Sequence, residues 1–292
     1  MDAFPILHCF ACKSKLEKKD QTLFCSTCKK QVIEKEGVWL FTEERYWGEV
    51  EESEMVGWLE AIKSKNYPDF KEAFYKGNAE FFNFTYEKTR ADWVTCVSVL
   101  KDWRVLDIGA GMGNMAFVLS ELAGEVYTLD KSWLRARFVH ERIKKEGKEN
   151  IWVAVGDALA LPFPDNTFDM VSGNGLFEWL GVTDKFANPT DAQLHFLKEV
   201  KRVLKPGGYV YVGIENRVGA PLFFGGIDHS GLQYTSLMPR KMADWYTKRK
   251  TGKAYQMYTY TRAGYEKHFK SAGLVDIEFF LPLPGYNLPK YV

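Results

Sequence analysis

The segment 105–116, VLDIGAGMGNMA, constrains the fold of this 292-residue chain more than any other. An apolar run leads directly into Gly109, Gly111 and Gly113, and a helix-compatible sequence follows. Glycine accepts positive φ angles and lets the backbone approach a ligand closely, and the start of the next helix offers free N–H groups. The segment therefore predicts a strand, a tight loop and a helix that hold the nucleotide part of a cofactor.

The spacing of these glycines argues against a dinucleotide-binding enzyme. Asn114 stands where the G-x-G-x-x-G fingerprint needs its last glycine. Asp107 lies two residues before the first glycine, where a dinucleotide loop has no fixed need for a carboxylate. A glycine-rich turn in some other α/β protein stays open at this point.

Two more apolar runs are followed by acidic residues. The run 126–130, VYTLD, indicates a buried strand that ends at Asp130, where a carboxylate can accept both ribose hydroxyls of a nucleoside. A helix cap is the alternative role for this carboxylate. The run 151–155, IWVAV, predicts the next strand, and Gly156-Asp157-Ala158 follows it.

Alternating strands and helices predict an α/β fold with a doubly wound, mostly parallel sheet, in which ligands lie beyond the carboxyl ends of the strands. We predict a helix over 197–208 that ends in a Pro-Gly-Gly turn, and a strand over 209–214. A helix over 262–273 and a sixth strand over 275–281 complete the pattern. The side chains expected at the ligand-binding rim are Asp107, Asp130, Asp157 and Asn174.

In their order and spacing, these segments resemble the class I S-adenosylmethionine (SAM) methyltransferases. The resemblance implies a Rossmann-like core with SAM as cofactor, in which Asp107 contacts the methionine part, Asp130 the ribose and Asp157 the adenine. The family usually adds a seventh, antiparallel strand, for which only residues 282–292 remain. The cofactor-binding residues implied in this way are Asp107, Gly109, Ala110, Gly111, Gly113, Asp130, Lys131, Asp157, Ala158 and Asn174.

Two C-x2-C pairs near the start of the chain predict a metal site. Cys9, Cys12, Cys25 and Cys28 have the spacing of the paired knuckles of a structural zinc ribbon, and four thiolates leave no open coordination position. Two disulfides are the alternative, which a reducing compartment disfavours. Such ribbons resemble those that precede the methyltransferase domain in several families, including a bacterial ribosomal RNA guanine methyltransferase family.

The chain is expected to divide into five segments. These are a zinc ribbon (1–42), a helical connector rich in aromatic residues (43–100), the cofactor-binding core (101–216), a lid insertion (217–261), and a C-terminal helix and strand (262–292). The formal net charge of +1 gives no global electrostatic argument for a nucleic-acid or anionic-membrane partner. Because no apolar run approaches 18 residues and no signal peptide is evident, we expect a cytoplasmic protein without a membrane span.

The binding site for the methyl acceptor is expected where the sequence departs from the core that it shares with the class I methyltransferases. Segments 174–179, 225–232 and 255–261 resemble bacterial and archaeal methyltransferases found among cell-surface polysaccharide enzymes. His229 is the first candidate for a base that removes a proton from an acceptor hydroxyl, with Asp228 or another carboxylate orienting it. Its alternative role is to fasten the lid by a hydrogen bond. Glu178 and Glu215 are further candidates for the base.

Other residues limit which methyl acceptors the sequence favours. Arg217 and Arg240 can bind a carboxylate or phosphate, or serve only in structural ion pairs. The segment 173–176, GNGL, lacks the Asn/Asp-Pro-Pro-aromatic motif by which enzymes that methylate exocyclic amines of bases resemble one another. Cys96, outside the ribbon, is expected to be a small buried residue rather than a nucleophile.

The sequence therefore predicts a SAM-dependent methyltransferase that acts on a hydroxyl or carboxyl group of a glycan or another small molecule. Ring-nitrogen methylation of RNA is the enzymatic alternative, for which the zinc ribbon offers a precedent by resemblance. A SAM-binding scaffold or activating subunit, whose ribbon docks a partner protein, is the non-enzymatic alternative.

Overall fold

The structure is a computed structural model that describes residues 6–19, 22–46, 50–183 and 185–290. It contains two compact units. The first comprises the chain up to Gly173, residues 202–211 and the segment that begins at Pro282. The second comprises residues 174–201 and 212–281. In the described part of the chain, no helix has the length and apolar character needed to cross a membrane.

The first unit is built on one sheet that contains nine strands among the described residues, in the order β1-β2-β3-β4-β7-β6-β5-β8-β9. The parallel pairs β7-β6, β6-β5 and β5-β8 confirm the predicted α/β fold. The strand bounds are β1 Glu17–Lys19, β2 Thr22–Phe24, β3 Gln31–Lys35, β4 Val38–Leu40, β5 Arg104–Ile108, β6 Glu125–Asp130, β7 Ile151–Val155, β8 Phe168–Asn174 and β9 Leu204–Gly213.

The N-terminal strands join this sheet rather than forming a separate one. Strands β1 to β4 form an antiparallel meander, and β4 then pairs in parallel with β7, with Trp39 opposite Ala154 and Leu40 opposite Val155. The backbone N–H of Phe41 extends this ladder by donating to the carbonyl of Val155 at 2.8 Å. The cysteine-rich segment is therefore continuous with the parallel part of the sheet.

Helices cover the faces of the sheet and explain its apolar strands. Strands β5, β6 and β7 are buried almost throughout, as parallel strands covered on both faces require. Helix α4 (Asn114–Leu122) and helix α5 (Trp133–Glu146) supply buried side chains to the same core.

The connector forms the three predicted helices, followed by a 3-10 helix. Helices α1 (Glu52–Ser64), α2 (Tyr67–Gly77) and α3 (Ala79–Tyr86) precede the 3-10 helix Lys88–Cys96. Asn66 caps α2 by accepting from the N–H of Asp69, and Asn78 caps α3 in the same way. Their aromatic side chains pack together as a buried cluster that contains Phe70, Phe74, Phe81 and Phe138.

The second unit is mainly helical and irregular. Helix α6 (Pro189–Val203) starts in it and leads to β9. The remaining elements are the 3-10 helix Phe177–Gly181, α7 (Ala220–Phe223), the 3-10 helix Thr235–Leu237, α8 (Arg240–Thr251) and α9 (Arg262–Ser271).

Three sequence-based expectations are wrong. The helix predicted over 197–208 ends at Val203, and the strand begins at Leu204, so the Pro-Gly-Gly segment lies within the strand. The segment 275–281 is not a strand, because Asp276 has a φ of 51°, which interrupts an extended backbone. Cys96 is exposed rather than buried.

Candidate functional sites

The glycine loop after β5 has the backbone conformation that its sequence predicts. Gly109, Gly111 and Gly113 have φ angles of 69°, 56° and 86°. A Cβ atom at Gly113 would lie 3.2 Å from side-chain atoms of both Phe117 and Val139, so a larger residue there would have to displace these side chains and would be strained by the positive φ. Gly113 is also the N-cap residue of α4, whose first N–H groups face the loop side of the helix. The loop can therefore hold an anionic or hydrogen-bonding part of a ligand.

Asp130 fastens this loop to the end of β6. Its Oδ2 accepts the backbone N–H of Gly111 at 2.8 Å, and its Oδ1 accepts the N–H of Ser132 at 2.9 Å. Asp130 is not the helix cap that the sequence left open, because Ser132 is the N-cap residue of α5 and its hydroxyl accepts the N–H of Arg135. Each carboxylate oxygen has a second lone pair, so these bonds still leave acceptor sites for ribose hydroxyls. The neighbouring Lys131 places its Nζ 3.7 Å from Oδ2 of Asp157.

Asp107 is a buried carboxyl group at the edge of the same loop. It is 1% exposed, and its Oδ1 accepts the hydroxyl of Ser172 at 2.8 Å. Its Oδ2 is buried without a hydrogen bond in the described structure. Burial raises the pKa of this carboxyl group to about 7. An acceptor that lacks a donor fits a ligand with an ammonium group, such as the methionine part of SAM.

The loop after β7 holds the third acidic residue. Asp157 is buried and caps its own loop, because Oδ1 accepts the N–H of Leu159 at 2.9 Å. Ala158 beside it is half-buried. Because β5, β6 and β7 are parallel neighbours, their carboxyl ends meet at one edge of the first unit. Asp107, Asp130 and Asp157 are thus brought to that edge, as predicted, whereas Asn174, at the end of β8, belongs to the second unit.

The four ribbon cysteines converge on one point. Their sulfur atoms all lie within 4.8 Å of one another, and none forms a disulfide. The Cys9–Cys28 and Cys12–Cys25 sulfur pairs are each 3.4 Å apart. A tetrahedral zinc ion with Zn–S bonds of about 2.3 Å needs sulfur separations of about 3.8 Å. The cluster therefore fits a four-coordinate zinc ion with small adjustments.

The two cysteine knuckles have the same backbone geometry. In each, the residue after the second cysteine returns its N–H to the carbonyl of the first, from Lys13 to Cys9 and from Lys29 to Cys25, both at 2.9 Å. Lys13 and Lys29 both have a φ of 63°. This repeated turn is typical of a pair of metal-binding knuckles and disfavours an accidental cluster.

A second polar cluster lies in the second unit. His229 Nε2 is 3.3 Å from Oε1 of Glu178 and 3.5 Å from Oε2 of Glu215. The Glu178 side chain is 0% exposed, whereas that of Glu215 is 37% exposed and that of His229 is 26% exposed. The ring of Trp179 covers the imidazole at a centroid distance of 4.7 Å. The three candidate bases of the sequence thus form one group, which we call the Glu-His-Glu cluster.

Burial and the neighbouring charges both shift the pKa values of His229 and Glu215. Burial lowers the pKa of His229, but the hydrogen bond and negative charge of Glu178 and the charge of Glu215 outweigh it, so the net pKa is raised. Burial raises the pKa of Glu215, and the negative charge of Glu178 adds to this, against the opposing effect of His229. The two glutamates therefore favour the charged form of the imidazole.

The other polar residues proposed for the acceptor site bond to groups within residues 217–261. Asp228 accepts the hydroxyls of Ser230 and Ser236, each at 2.5 Å, so Glu178 rather than Asp228 is the carboxylate beside His229. Arg217 donates to the carbonyls of Ser236 and Met238, both at 2.6 Å. Arg240 donates to the carbonyl of Thr259 and lies over the ring of Tyr258, with its guanidinium carbon 4.1 Å from the centroid.

Sequence reasoning missed the partner of Asp107. Ser172 lies directly opposite Asp107 in the β5-β8 register, but nothing in the local sequence marks it. A prediction that β5 pairs with β8 would have revealed it, because this pairing places Ser172 beside the buried carboxyl group of Asp107.

Comparisons with known proteins show what this chain is similar to. Residues 106–212 match the methyltransferase domain family. A demethylmenaquinone methyltransferase of Geobacillus kaustophilus is 31% identical over 204 residues, which cover 65% of this chain and 79% of that protein. One from Anoxybacillus flavithermus is 37% identical over 125 residues, which cover 41% of this chain and 48%, about half, of that relative. The solved structure of the YcgJ protein from Bacillus subtilis aligns with a TM-score of 0.49 at 20% identity, covering 68% of this chain and 74% of that one.

Proposed function

Because the chain belongs to the class I SAM-dependent methyltransferases, we propose that it transfers a methyl group from SAM to a hydroxyl or carboxyl group of a glycan or another small acceptor. The observation that supports this acceptor class is the Glu-His-Glu cluster, which can remove a proton from a hydroxyl. SAM, when bound, supplies a methyl group on a positively charged sulfur, ready for in-line displacement.

The first unit holds the cofactor in this proposal. Asp107 receives the methionine ammonium group on its free Oδ2, and the backbone of the Gly109–Gly113 loop faces the cofactor. Asp130 and Lys131 bind the ribose side, and Asp157 with the N–H of Ala158 binds the adenine.

Glu215 is the base in this proposal, rather than His229. The raised pKa of His229 favours its protonated form, and a protonated imidazole has no free lone pair with which to take a proton. Glu215 is the more exposed carboxylate, and its raised pKa brings it closer to neutrality, where a general base works best. The buried Glu178 fixes the imidazolium in place. An acceptor carboxyl group enters already ionised and needs no base, so it would use His229 only as a cation.

The ribbon binds a structural zinc ion through Cys9, Cys12, Cys25 and Cys28. All four ligands are thiolates, which closes the coordination sphere, so the ion serves the fold rather than the reaction. Thiols that stay unpaired fit a reducing compartment such as the cytoplasm.

Methyl-labelled SAM tests the acceptor class. The protein is incubated with labelled SAM and a fractionated host extract, and label is counted in the RNA, protein, glycan and small-molecule pools. We expect label that survives nuclease and follows the glycan or small-molecule pool. Label released by nuclease would overturn the acceptor class in favour of RNA.

A matched pair of variants tests the base. Glu215→Gln is expected to lower kcat by about 100-fold to 10,000-fold for a hydroxyl acceptor, the range that a general base supplies. Glu266→Gln, which alters an exposed ion pair on α9, is the control and should leave kcat unchanged. Full activity of Glu215→Gln would mean that the acceptor is a carboxyl group or that Glu215 is not the base. Measuring the turnover of Glu215→Gln with a hydroxyl acceptor and with a carboxyl acceptor separates these two outcomes.

Demethylmenaquinone is a second candidate acceptor. The observation that favours it is the similarity to demethylmenaquinone methyltransferases, of which the Geobacillus kaustophilus protein aligns over 79% of its length. The same labelled assay with demethylmenaquinone in detergent should then give label that partitions into an organic solvent. Label that stays in the aqueous phase would exclude this acceptor.

A further inference from the structure

The second unit exposes large apolar side chains within one short stretch of sequence. Phe224 is 89% exposed, and Ile227 and Trp245 are 67% and 64% exposed. Exposed apolar residues are normal when they are scattered singly, but a group of them marks an interaction site. The full group is Val218, Phe223, Phe224, Ile227, Tyr234, Met242 and Trp245, which we call the lid surface.

The loop that carries the exposed phenylalanines is held by hydrogen bonds. The N–H groups of Phe224 and Gly226 both donate to the carbonyl of Pro221, at 3.1 and 2.9 Å. Gln233 adds a bond from Nε2 to the carbonyl of Gly225 at 2.9 Å. Leu222 is buried and anchors the loop, while the two phenylalanines that follow it point to solvent. Their exposure is therefore built into the loop.

Helix α8 adds an apolar stripe flanked by cations. Ala243 and Thr247 form its buried side, whereas Met242 and Trp245 are exposed three residues apart. Lys241 lies four residues before Trp245, and Arg249 four residues after it, so both flank the indole on the same face. Between Arg240 and Lys253 the chain has six cationic residues and one carboxylate, Asp244, which pairs with Lys248.

The loop and the helix belong to one body. Helices α7 and α8 both pack against the 3-10 helix Thr235–Leu237. Asp228 accepts the hydroxyl of Ser236 in that helix, and Arg217 donates to its carbonyl. The two parts of the lid surface are therefore fixed to the same short element.

We propose that the lid surface docks onto an anionic lipid bilayer. Phenylalanine, isoleucine and tryptophan side chains enter the interfacial layer, and lysine and arginine side chains meet the phosphate groups of the lipids. The charge of α8 favours this partner, because apolar residues flanked by Lys241 and Arg249 complement a bilayer whose interior is apolar and whose headgroup layer is anionic. Since the protein as a whole has a net charge of +1, the attraction is local to this surface. Docking of this kind gives an enzyme access to acceptors that reside in the membrane.

Vesicle sedimentation tests docking without any need for methyl transfer. The full-length protein is mixed with vesicles of phosphatidylcholine alone or of phosphatidylcholine with phosphatidylglycerol, and the bound fraction is measured after centrifugation. We expect binding to the anionic vesicles that weakens as salt is raised. Absence of binding, or equal binding to both compositions, would overturn the proposal.

Paired variants assign the binding to the lid surface. Lys241→Gln with Arg249→Gln should weaken binding by about 30-fold, because each cation near an anionic surface contributes about fivefold. The double variant Phe223→Ser with Phe224→Ser should also abolish most of the binding to anionic vesicles. The controls are Leu100→Ser, an exposed apolar residue of the first unit, and Lys267→Gln on α9.

Unchanged binding by both double variants would refute the proposal, and so would an equal loss in the controls. Circular dichroism and thermal melting verify that each variant is folded. If the native protein forms a dimer in solution that the phenylalanine variant dissociates, a second copy rather than a bilayer covers the surface, and the proposal fails.

Discussion

The buried carboxyl group of Asp107 offers the sharpest test of the cofactor site. Burial raises its pKa to about 7, so its charge changes within the pH range in which the protein can be studied. If the ionised form binds the ammonium group of SAM, native binding must strengthen as the pH rises. Asp107→Asn keeps the shape of the side chain and an acceptor for the hydroxyl of Ser172 but removes the charge, so it should lose this pH dependence.

The pKa sets the size of the effect. With a pKa near 7, about 9% of the native carboxyl groups are ionised at pH 6 and about 91% at pH 8. The ratio of the variant Kd to the native Kd should therefore rise by about tenfold over this interval. At pH 8 the variant should bind SAM roughly 10-fold to 150-fold more weakly, the value of a hydrogen bond to a charged group. The amino group of SAM also titrates in this pH range. Because it does so with both proteins, its effect cancels in the ratio of the variant Kd to the native Kd.

The native protein should become less stable as the pH rises, whereas its affinity for SAM should increase. A carboxyl group with a raised pKa contributes its full stability below pH 3.8 and loses it as the pH rises through 7. A shift of about 3 units corresponds to about 4 kcal/mol, so Asp107→Asn should gain up to that much in unfolding free energy at pH 8 relative to pH 3. A variant that is more stable yet binds SAM more weakly cannot owe its weak binding to unfolding.

Isothermal titration calorimetry at pH 6, 7 and 8 measures both affinities, and urea denaturation measures stability. A Kd ratio that stays constant from pH 6 to pH 8 would refute the role of Asp107 as an ionised SAM ligand. A constant ratio combined with the expected gain in stability would leave the buried carboxyl group as a purely structural residue.

Three further predictions concern other residues of the first unit. Asp130→Ala should weaken SAM binding and also loosen the glycine loop, because it removes the acceptor for the N–H of Gly111; unchanged affinity by calorimetry would remove Asp130 from the site. Cys12→Ser should lose zinc by elemental analysis, and a metal content equal to that of the native protein would contradict the ribbon assignment. Burial lowers the pKa of His140 to about 4, so its contribution to stability is present above pH 6.5 and lost as the pH falls toward 4. Because the ring is partly exposed, the loss should be about 1–2 kcal/mol, measured by urea denaturation and absent in His140→Asn.

The local sequence predicted the elements of the cofactor site well. The strands β5, β6 and β7 differ from the predicted runs by one residue or none, because their Val, Leu and Ile content is typical of strands buried on both faces. The positive φ angles of the loop follow from the glycines themselves. For this site, residue type and spacing determine the conformation locally.

Where conformation depends on a distant partner, the sequence predicted less. The segment 275–281 alternates apolar and polar residues, as a strand does, yet it forms none, and Val275 and Leu281 are 74% and 75% exposed. Alternation indicates only which side chains share a face, not whether a neighbouring strand is available. Likewise, the sequence identified Glu178, Glu215 and His229 separately, but their convergence depends on the path of a long insertion that no local pattern specifies.

The junction of ribbon and core predicts what the proposed zinc ion would contribute to the proposed cofactor site. Strand β4 covers the outer edge of β7, whose end leads directly to Asp157. The ribbon also holds the loop that follows, because His8 donates its N–H to the carbonyl of Pro162 at 2.9 Å and Lys13 donates Nζ to the carbonyl of Leu161 at 3.1 Å. His8 and Lys13 flank the proposed zinc ligands Cys9 and Cys12, so the position of these donors would depend on the knuckle that a zinc ion closes. Loss of the metal should therefore release the Asp157 loop and weaken the adenine side of the site, while Asp107 and the glycine loop keep their own contacts.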